Sequence, residues 1–240
     1  MTATQLYEQR RDRIEAYFDR TAMKAWEQLT SDAPVSRVRA TVREGRDRMR
    51  STLLQWLPAD LHGLRILDAG CGTGALAVEA ARRGAEVLAI DLSPSLVDVA
   101  ARRAAGLPDA ELLGERIDWR SGDFTDLALG HFDHVVAMDS LIHYSAGDAV
   151  RVVQGWARRT RGSMVFTFAP STPLLMTMFA VGRLFPRGDR SPAIVPVAEK
   201  TLRRMVATES GLAHWQAARS QRISRGFYTS QAFELHAVPR

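Results

Sequence analysis

The residues best suited to chemistry lie together in Leu67-Asp68-Ala69-Gly70-Cys71-Gly72-Thr73-Gly74, which closes a strand-like run and opens a helix-like one. Glycines here let the backbone turn tightly and approach a ligand, because a Cβ would fill that space. With Ala75 the run also satisfies the G-x-G-x-x-A form of the dinucleotide fingerprint, so Gly70, Gly72 and Gly74 alone leave the ligand open. Asp68 discriminates. A carboxylate just before the loop repels a pyrophosphate but attracts a cation, and the ammonium and sulfonium of S-adenosylmethionine are cations.

Two further acids stand where the rest of that molecule would lie, at the carboxyl ends of later strands. Asp91, followed by Leu92, can accept from both ribose hydroxyls. Asp123 can accept from the adenine amino group, while Phe124 offers the base an apolar ring or a backbone amide. Each acid alone reads as a helix cap or turn; their order along the chain is what carries the signal. The expected cofactor-binding set is Asp68, Gly70, Cys71, Gly72, Gly74, Asp91, Leu92, Asp123, Phe124 and Asp139.

In a doubly wound sheet the substrate meets the cofactor at the ends of the central strands, here Asp139-Ser140-Leu141-Ile142-His143-Tyr144. The Asn-Pro-Pro-aromatic arrangement of nucleic-acid and protein amide methyltransferases is missing from this stretch. That counts against a flipped base or a glutamine as acceptor, and no nucleic-acid partner is expected, although the positive charge keeps RNA open.

The elements that must position these residues alternate. Short apolar runs at 65–69, 86–90, 117–120, 132–138 and 164–168 predict strands, and helical periodicity appears at 74–83, 95–105, 148–160 and 197–209. The C-terminus reads as two strands, 222–228 and 232–238, joined by a tight turn. This predicts an α/β fold with a doubly wound, mostly parallel seven-stranded sheet ending in a β-hairpin. Residues 1–58 read as a helical arm or cap, with Val35, Val38, Val42, Met49, Leu53 and Leu57 along one face. The arginines of the same helix, Arg37 to Arg50, read as a solvated face. The domain that carries the glycine loop is placed at 59–240, with 170–196 as an insertion that the alternation does not predict, apolar first and then rich in Arg, Gly and Pro. Long insertions of this kind are usually functional, and a substrate-binding lid is expected here.

A chain of 240 residues, 46% hydrophobic and 25% charged, has the composition of a globular protein. The single cysteine, Cys71, and an opening segment without the layout of a signal peptide place it in a reducing cytoplasm. The most apolar stretch, 174–185, is interrupted by Gly182 and Arg183 and falls short of the roughly 20 residues that span a bilayer. A net charge of +5 suits an anionic substrate, an acidic partner, a membrane surface or nucleic acid.

The order Asp-x-Gly-x-Gly-x-Gly, an acid after strand two and Gly-Asp-Phe after strand three resembles the class I S-adenosylmethionine-dependent methyltransferases over roughly residues 60 to 170. Tyr17-Phe18-Asp19-Arg20-Thr21, Met138-Asp139-Ser140-Leu141-Ile142-His143-Tyr144, Phe166-Thr167-Phe168-Ala169-Pro170, Leu184-Phe185-Pro186-Arg187 and Gly226-Phe227-Tyr228 narrow the resemblance. They look like the magnesium protoporphyrin IX O-methyltransferase family, in the form found in bacteriochlorophyll-making bacteria. That resemblance implies methylation of the 13-propionate of magnesium protoporphyrin IX, with S-adenosylhomocysteine as the second product and magnesium present only within the porphyrin. It also implies the large subunit of magnesium chelatase as upstream partner, and the lipophilic product is compatible with peripheral membrane contact. The chain departs from the oxygenic relatives at Trp26-Glu27-Gln28-Leu29-Thr30, where they carry a tyrosine proposed to act in catalysis.

A porphyrin needs an apolar slot with cations at its rim. Met176 and Phe179 are candidates for the wall, and Arg183, Arg187 or Arg190 for clasping the propionate that is not methylated, although the same apolar side chains could simply cover the sheet. His143, which could hold the reacting carboxylate or take its proton, and Tyr17, in the helical cap, are the catalytic candidates, against ordinary packing for both. No metal site of the protein's own is expected. Methylation of another small molecule or of RNA, and non-catalytic cofactor binding, are the competing readings.

Overall fold

The computed structural model describes residues 37–171 and 194–238. The chain enters on helix α1 (Arg37–Trp56) and alternates through β1 (Arg65–Ala69), α2 (Ala75–Arg82), β2 (Glu86–Asp91), α3 (Pro94–Ala105), α4 (Ala110–Arg116), β3 (Ile117–Ser121) and β4 (Phe132–Ala137). It continues through α5 (Ala146–Ala157), β5 (Thr160–Phe168), α6 (Glu199–Thr208), β6 (Trp215–Arg225) and β7 (Tyr228–Ala237). The seven strands form one sheet in the order β3-β2-β1-β4-β5-β7-β6, in which β7 runs antiparallel to both its neighbours. Strand order reverses between β1 and β4, so a crevice opens at their carboxyl ends.

Both faces of the sheet are covered, which is why its central strands read as short, mostly apolar runs. Ile66, Val87, Ala89, Val136 and Val165 point to the side of α1 and α2, where Met49, Leu53, Leu54 and Leu57 join them in one apolar cluster. Leu67, Leu88, Val135, Met164 and Phe166 point the other way, against Trp156 of α5 and Leu202 of α6. Ser93 caps α3 by accepting from the Leu96 N–H at 3.3 Å, with Pro94 in its first turn, and Ser145 caps α5 from Asp148 at 3.2 Å.

The expected alternation is present, with four differences. Helix α4, the first residues of β5 and the first residues of β6, 215–221, fall outside the expected elements. The hairpin turns at Gly226 and Phe227, because Gly226 supplies the positive φ of 57°, whereas Thr229 and Ser230 are paired in β7 with Ser224 and Ile223. The turn expected at 229–231 is therefore corrected. Among the described residues no helix is long and apolar enough to cross a membrane. Tyr17, Phe18, Met176, Phe179, Arg183, Arg187 and Arg190, and with them most of the N-terminal cap and of the 170–196 insertion, lie outside the described residues.

Candidate functional site

At the end of β1 the backbone turns through Gly70 and Gly72, with φ of 83° and 54°, and reaches Gly74, at 80°, where α2 begins. The turn is pinned to β2: the Gly70 and Cys71 N–H groups donate to the Ile90 carbonyl at 2.8 and 3.0 Å. Two of these glycines also make close approaches. A Cβ on Gly70 would stand 2.5 Å from Ser140 Cβ, and one on Gly74 would stand 2.4 Å from the Trp119 ring. The loops after β1 and β4 therefore touch across the crevice.

Asp68 is 1% exposed, and its Oδ2 is buried without a hydrogen-bond partner among the described residues. Burial, and then the charge of Asp91, push its carboxyl up to about 7. Asp91 is likewise raised by burial, although the Gly72 N–H donates to its Oδ2 at 2.9 Å and the Ser93 N–H to its Oδ1 at 3.0 Å. An orphaned acceptor and two carboxylates whose ionised forms are disfavoured suit a cationic ligand, which would supply what the fold withholds. An ammonium or sulfonium fits this cradle and a diphosphate does not. Cys71 is buried in the apolar cluster under α1, and burial together with both acids raises its thiol well above the ordinary range. Its side chain is a neutral packing element, so any contact it makes with a ligand falls to its backbone. Leu92 packs at the edge of the opposite cluster.

Asp123 Oδ1 accepts from the Thr125 N–H at 2.8 Å and its hydroxyl at 2.7 Å, which fixes the loop after β3. The Phe124 ring is 4% exposed and meets Trp156 edge-on at 5.6 Å. Of the two contacts expected of Phe124, the ring is thus turned into the core, and the backbone amide is the one that fits a base. Arg159 holds this loop from beneath. Its buried guanidinium donates to the Phe124 carbonyl at 2.5 Å and to the Asp126 carbonyl, and lies 5.8 Å from the Phe132 ring centroid. Replacing it with Met should loosen the loop and weaken S-adenosylhomocysteine binding about tenfold, the equivalent of about 1.4 kcal/mol, with turnover at saturating donor nearly unchanged. Titration calorimetry beside steady-state rates checks this.

Asp139 differs from its expected role. Its carboxylate is engaged by Arg46, Tyr228, Ser230 and Thr167, so its side chain is committed to the protein and only its backbone remains to meet a ligand. Immediately after it, Leu141–His143 form a single 3-10 turn in which His143 is 6% exposed. The Ile142 carbonyl accepts from the Val195 N–H at 2.8 Å, and the Val197 N–H donates to the Ala169 carbonyl at 2.8 Å. Both described ends of the insertion are therefore tied down beside the His143 turn. Arg46, Ser140, Arg159, Thr167, Tyr228 and Ser230 were not among the expected site residues.

Known proteins share this sequence pattern and this fold. A family model described as the magnesium-protoporphyrin IX methyltransferase C-terminus matches residues 137–237, and a general methyltransferase-domain model matches 66–162. The magnesium-protoporphyrin O-methyltransferase of Rhodobacter capsulatus is 49% identical over 95% of this chain and 97% of its own. That of Synechocystis is 28% identical over 92% of this chain and 94% of its own. The crystal structure of magnesium protoporphyrin IX methyltransferase from Synechocystis with bound S-adenosylhomocysteine superposes with a TM-score of 0.81, at 28% identity over 94% of this chain and 99% of the other. The chain belongs to the magnesium-protoporphyrin O-methyltransferase family of Rossmann-like, S-adenosylmethionine-dependent enzymes.

Proposed function

We infer that the protein transfers a methyl group from S-adenosylmethionine to a propionate carboxylate of magnesium protoporphyrin IX, by resemblance the 13-propionate, in bacteriochlorophyll synthesis. The observation that carries the reading is the buried, partnerless Asp68 oxygen beside Asp91 at the strand-order switch, in a chain with 49% identity to a relative of that name. Bound S-adenosylmethionine supplies an electrophilic methyl; a new O–C bond forms as the C–S bond breaks, and sulfur keeps the electron pair.

A propionate with a pKa near that of Glu, about 4.3, is ionised at neutral pH, so no strong base is needed. The protein's task is to align the oxygen with the methyl, roughly 3 to 3.5 Å away, and to keep water off it. Asp68 and Asp91 hold the donor's cationic end and ribose, the loop at Asp123 and Phe124 receives the base, and the His143 turn faces the acceptor. His143 orients the carboxylate, a softer contact than an arginine clamp, which would blunt the nucleophile. His143→Ala should lower kcat at least tenfold while leaving S-adenosylhomocysteine affinity within about threefold. Unaltered turnover would remove His143 from the chemistry.

Domain boundaries at 58/59 and a substrate-binding role for 170–196, with Arg183, Arg187 and Arg190 at its rim, are part of the same reading. The substrate-binding role is supported by where residues 171 and 194–197 anchor, beside the His143 turn. Tyr17, delivery by magnesium chelatase and peripheral membrane contact rest on the family resemblance alone. Incubation with magnesium protoporphyrin IX and methyl-labelled donor, followed by chromatography, tests the activity. Label in a porphyrin monomethyl ester is expected; label in RNA or another acceptor only would overturn it.

A further inference from the structure

The carboxylate of Asp139 is the meeting point of four side chains from three separate elements. From α1, Arg46 donates to its Oδ2 at 2.6 Å. From β7, the Tyr228 hydroxyl lies 3.1 Å from both oxygens and the Ser230 hydroxyl 3.0 Å from Oδ1. From β5, the Thr167 hydroxyl accepts from the Asp139 N–H at 2.7 Å and donates back to Oδ1 at 3.2 Å. The Arg46 and Asp139 side chains are only 17% and 6% exposed, so solvent screens the pair little.

This is a large commitment of polar groups to one residue, and the backbone shows what it holds. Asp139 has a φ of 57°, and among the described residues no other non-glycine adopts a positive φ. Left-handed backbone is disfavoured for an L-residue and persists where the surroundings over-determine it. The residue that follows, Ser140, presses on Gly70 of the donor loop, and the 3-10 turn carrying His143 begins one residue later. Releasing Asp139 would free the link between the donor side of the crevice and the acceptor side.

Tyr228 is itself held in place by a missing side chain. A Cβ on Gly45 of α1 would stand 2.5 Å from the Tyr228 ring, and one on Gly226 2.1 Å from the Thr41 hydroxyl, so α1 and the hairpin are in intimate contact. An ion pair from Arg225 to Glu44 at 2.7 Å closes the same seam. Burial and the nearby carboxylate push the Tyr228 phenol above its ordinary value, so it stays a proton donor throughout the neutral range.

We propose that Arg46 and Tyr228 are positioning residues for methyl transfer: by clamping Asp139 they fix the Ser140–His143 turn, and with it the acceptor carboxylate, against the bound donor. The inference rests on the activity given above. It assigns to α1 and the hairpin tip a part in turnover although neither supplies a group to the reacting atoms. Arg46 reaches Asp139 from Nη1 to one oxygen, so a lysine charge can stand in for that bond in part.

The test compares Arg46→Met, Arg46→Lys and Tyr228→Phe in the full chain, measuring kcat and KM for magnesium protoporphyrin IX, affinity for S-adenosylhomocysteine and the unfolding temperature. Arg46→Met is expected to lower kcat at 20 °C at least tenfold and Tyr228→Phe at least threefold, with KM and product affinity within about threefold. Arg46→Lys should recover a substantial part of the loss. A purely structural role would lower the unfolding temperature but leave kcat of the folded protein alone, and that result overturns the proposal. So does a fall in product affinity as large as the fall in kcat. If Arg46→Met does not fold, Tyr228→Phe, which deletes one hydroxyl, decides alone. Wild-type turnover on the porphyrin, run in parallel, separates failure of the activity from failure of the positioning role.

Discussion

Replacing Asp68 with Asn should weaken S-adenosylhomocysteine binding at pH 8 by about 100-fold or more and, at the same pH, make the ligand-free protein more stable. The two effects have one cause. The Asp68 carboxyl is raised from 3.8 to about 7, chiefly by burial, so ionising it within the fold is uphill. For a group raised on folding, the stability it contributes is fully present below about pH 4 and is lost as pH climbs through about 7. The shift corresponds to about 4 kcal/mol at high pH, and a buried amide left without an acceptor returns about 1–3 of it, so a net gain of about 1–3 is expected. A cation in the cradle would cancel the same cost in the wild type, and truncating one partner of a buried charge pair typically costs 2–5 kcal/mol. Wild-type affinity should therefore tighten as pH rises from 6 to 8 and then level off. A residue of merely structural importance would lose stability and binding together. Calorimetric titration and thermal unfolding at pH 5 and pH 8 read both signs.

Gly70→Ala is the second large effect. Its φ of 83° is strained for any residue with a Cβ, and the added atom would meet Ser140 Cβ at 2.5 Å, next to backbone on the neighbouring loop. Left-handed strain of roughly 1–2 kcal/mol and an overpacking cost of roughly 1–3 together give about 2–5 kcal/mol, or about 5–20 °C in unfolding temperature. Product affinity should fall at least tenfold because the two loops are driven apart. Gly63→Ala supplies the contrast: φ there is 72°, but nothing lies within 4 Å of the new Cβ. It should carry only the backbone strain and bind S-adenosylhomocysteine normally. Equal affinity loss in both variants would mean that the contact with Ser140 is incidental.

Much of this arrangement was legible in the residues because it rests on local rules. Central strands buried on both faces must be largely apolar, and a glycine loop between β1 and α2 announces close backbone approach. What the sequence concealed depends on long-range partners. Phe124 carries no mark that distinguishes a ring facing a ligand from one packed on Trp156. Arg46 was counted with the solvated arginines, yet it falls in line with Val42, Met49 and Leu53 at spacings of four, three and four, on the stripe that faces the core. A cation on an apolar stripe signals a buried anion, and here that anion is Asp139, 93 residues away. Asp139 itself looked like a ligand residue, since a carboxylate after β4 has the right chemistry. Only the folded chain shows its oxygens already engaged.

Everything about the donor depends on a carboxylate-flanked glycine turn accepting a positively charged ligand at the switch between β1 and β4. Titration calorimetry of the full chain with S-adenosylhomocysteine, and separately with NAD and NADP, measures this most directly. Saturable binding of S-adenosylhomocysteine, tightening between pH 6 and pH 8, with no uptake of either dinucleotide, is the predicted result. Tight binding of a dinucleotide, with indifference to S-adenosylhomocysteine, would contradict it.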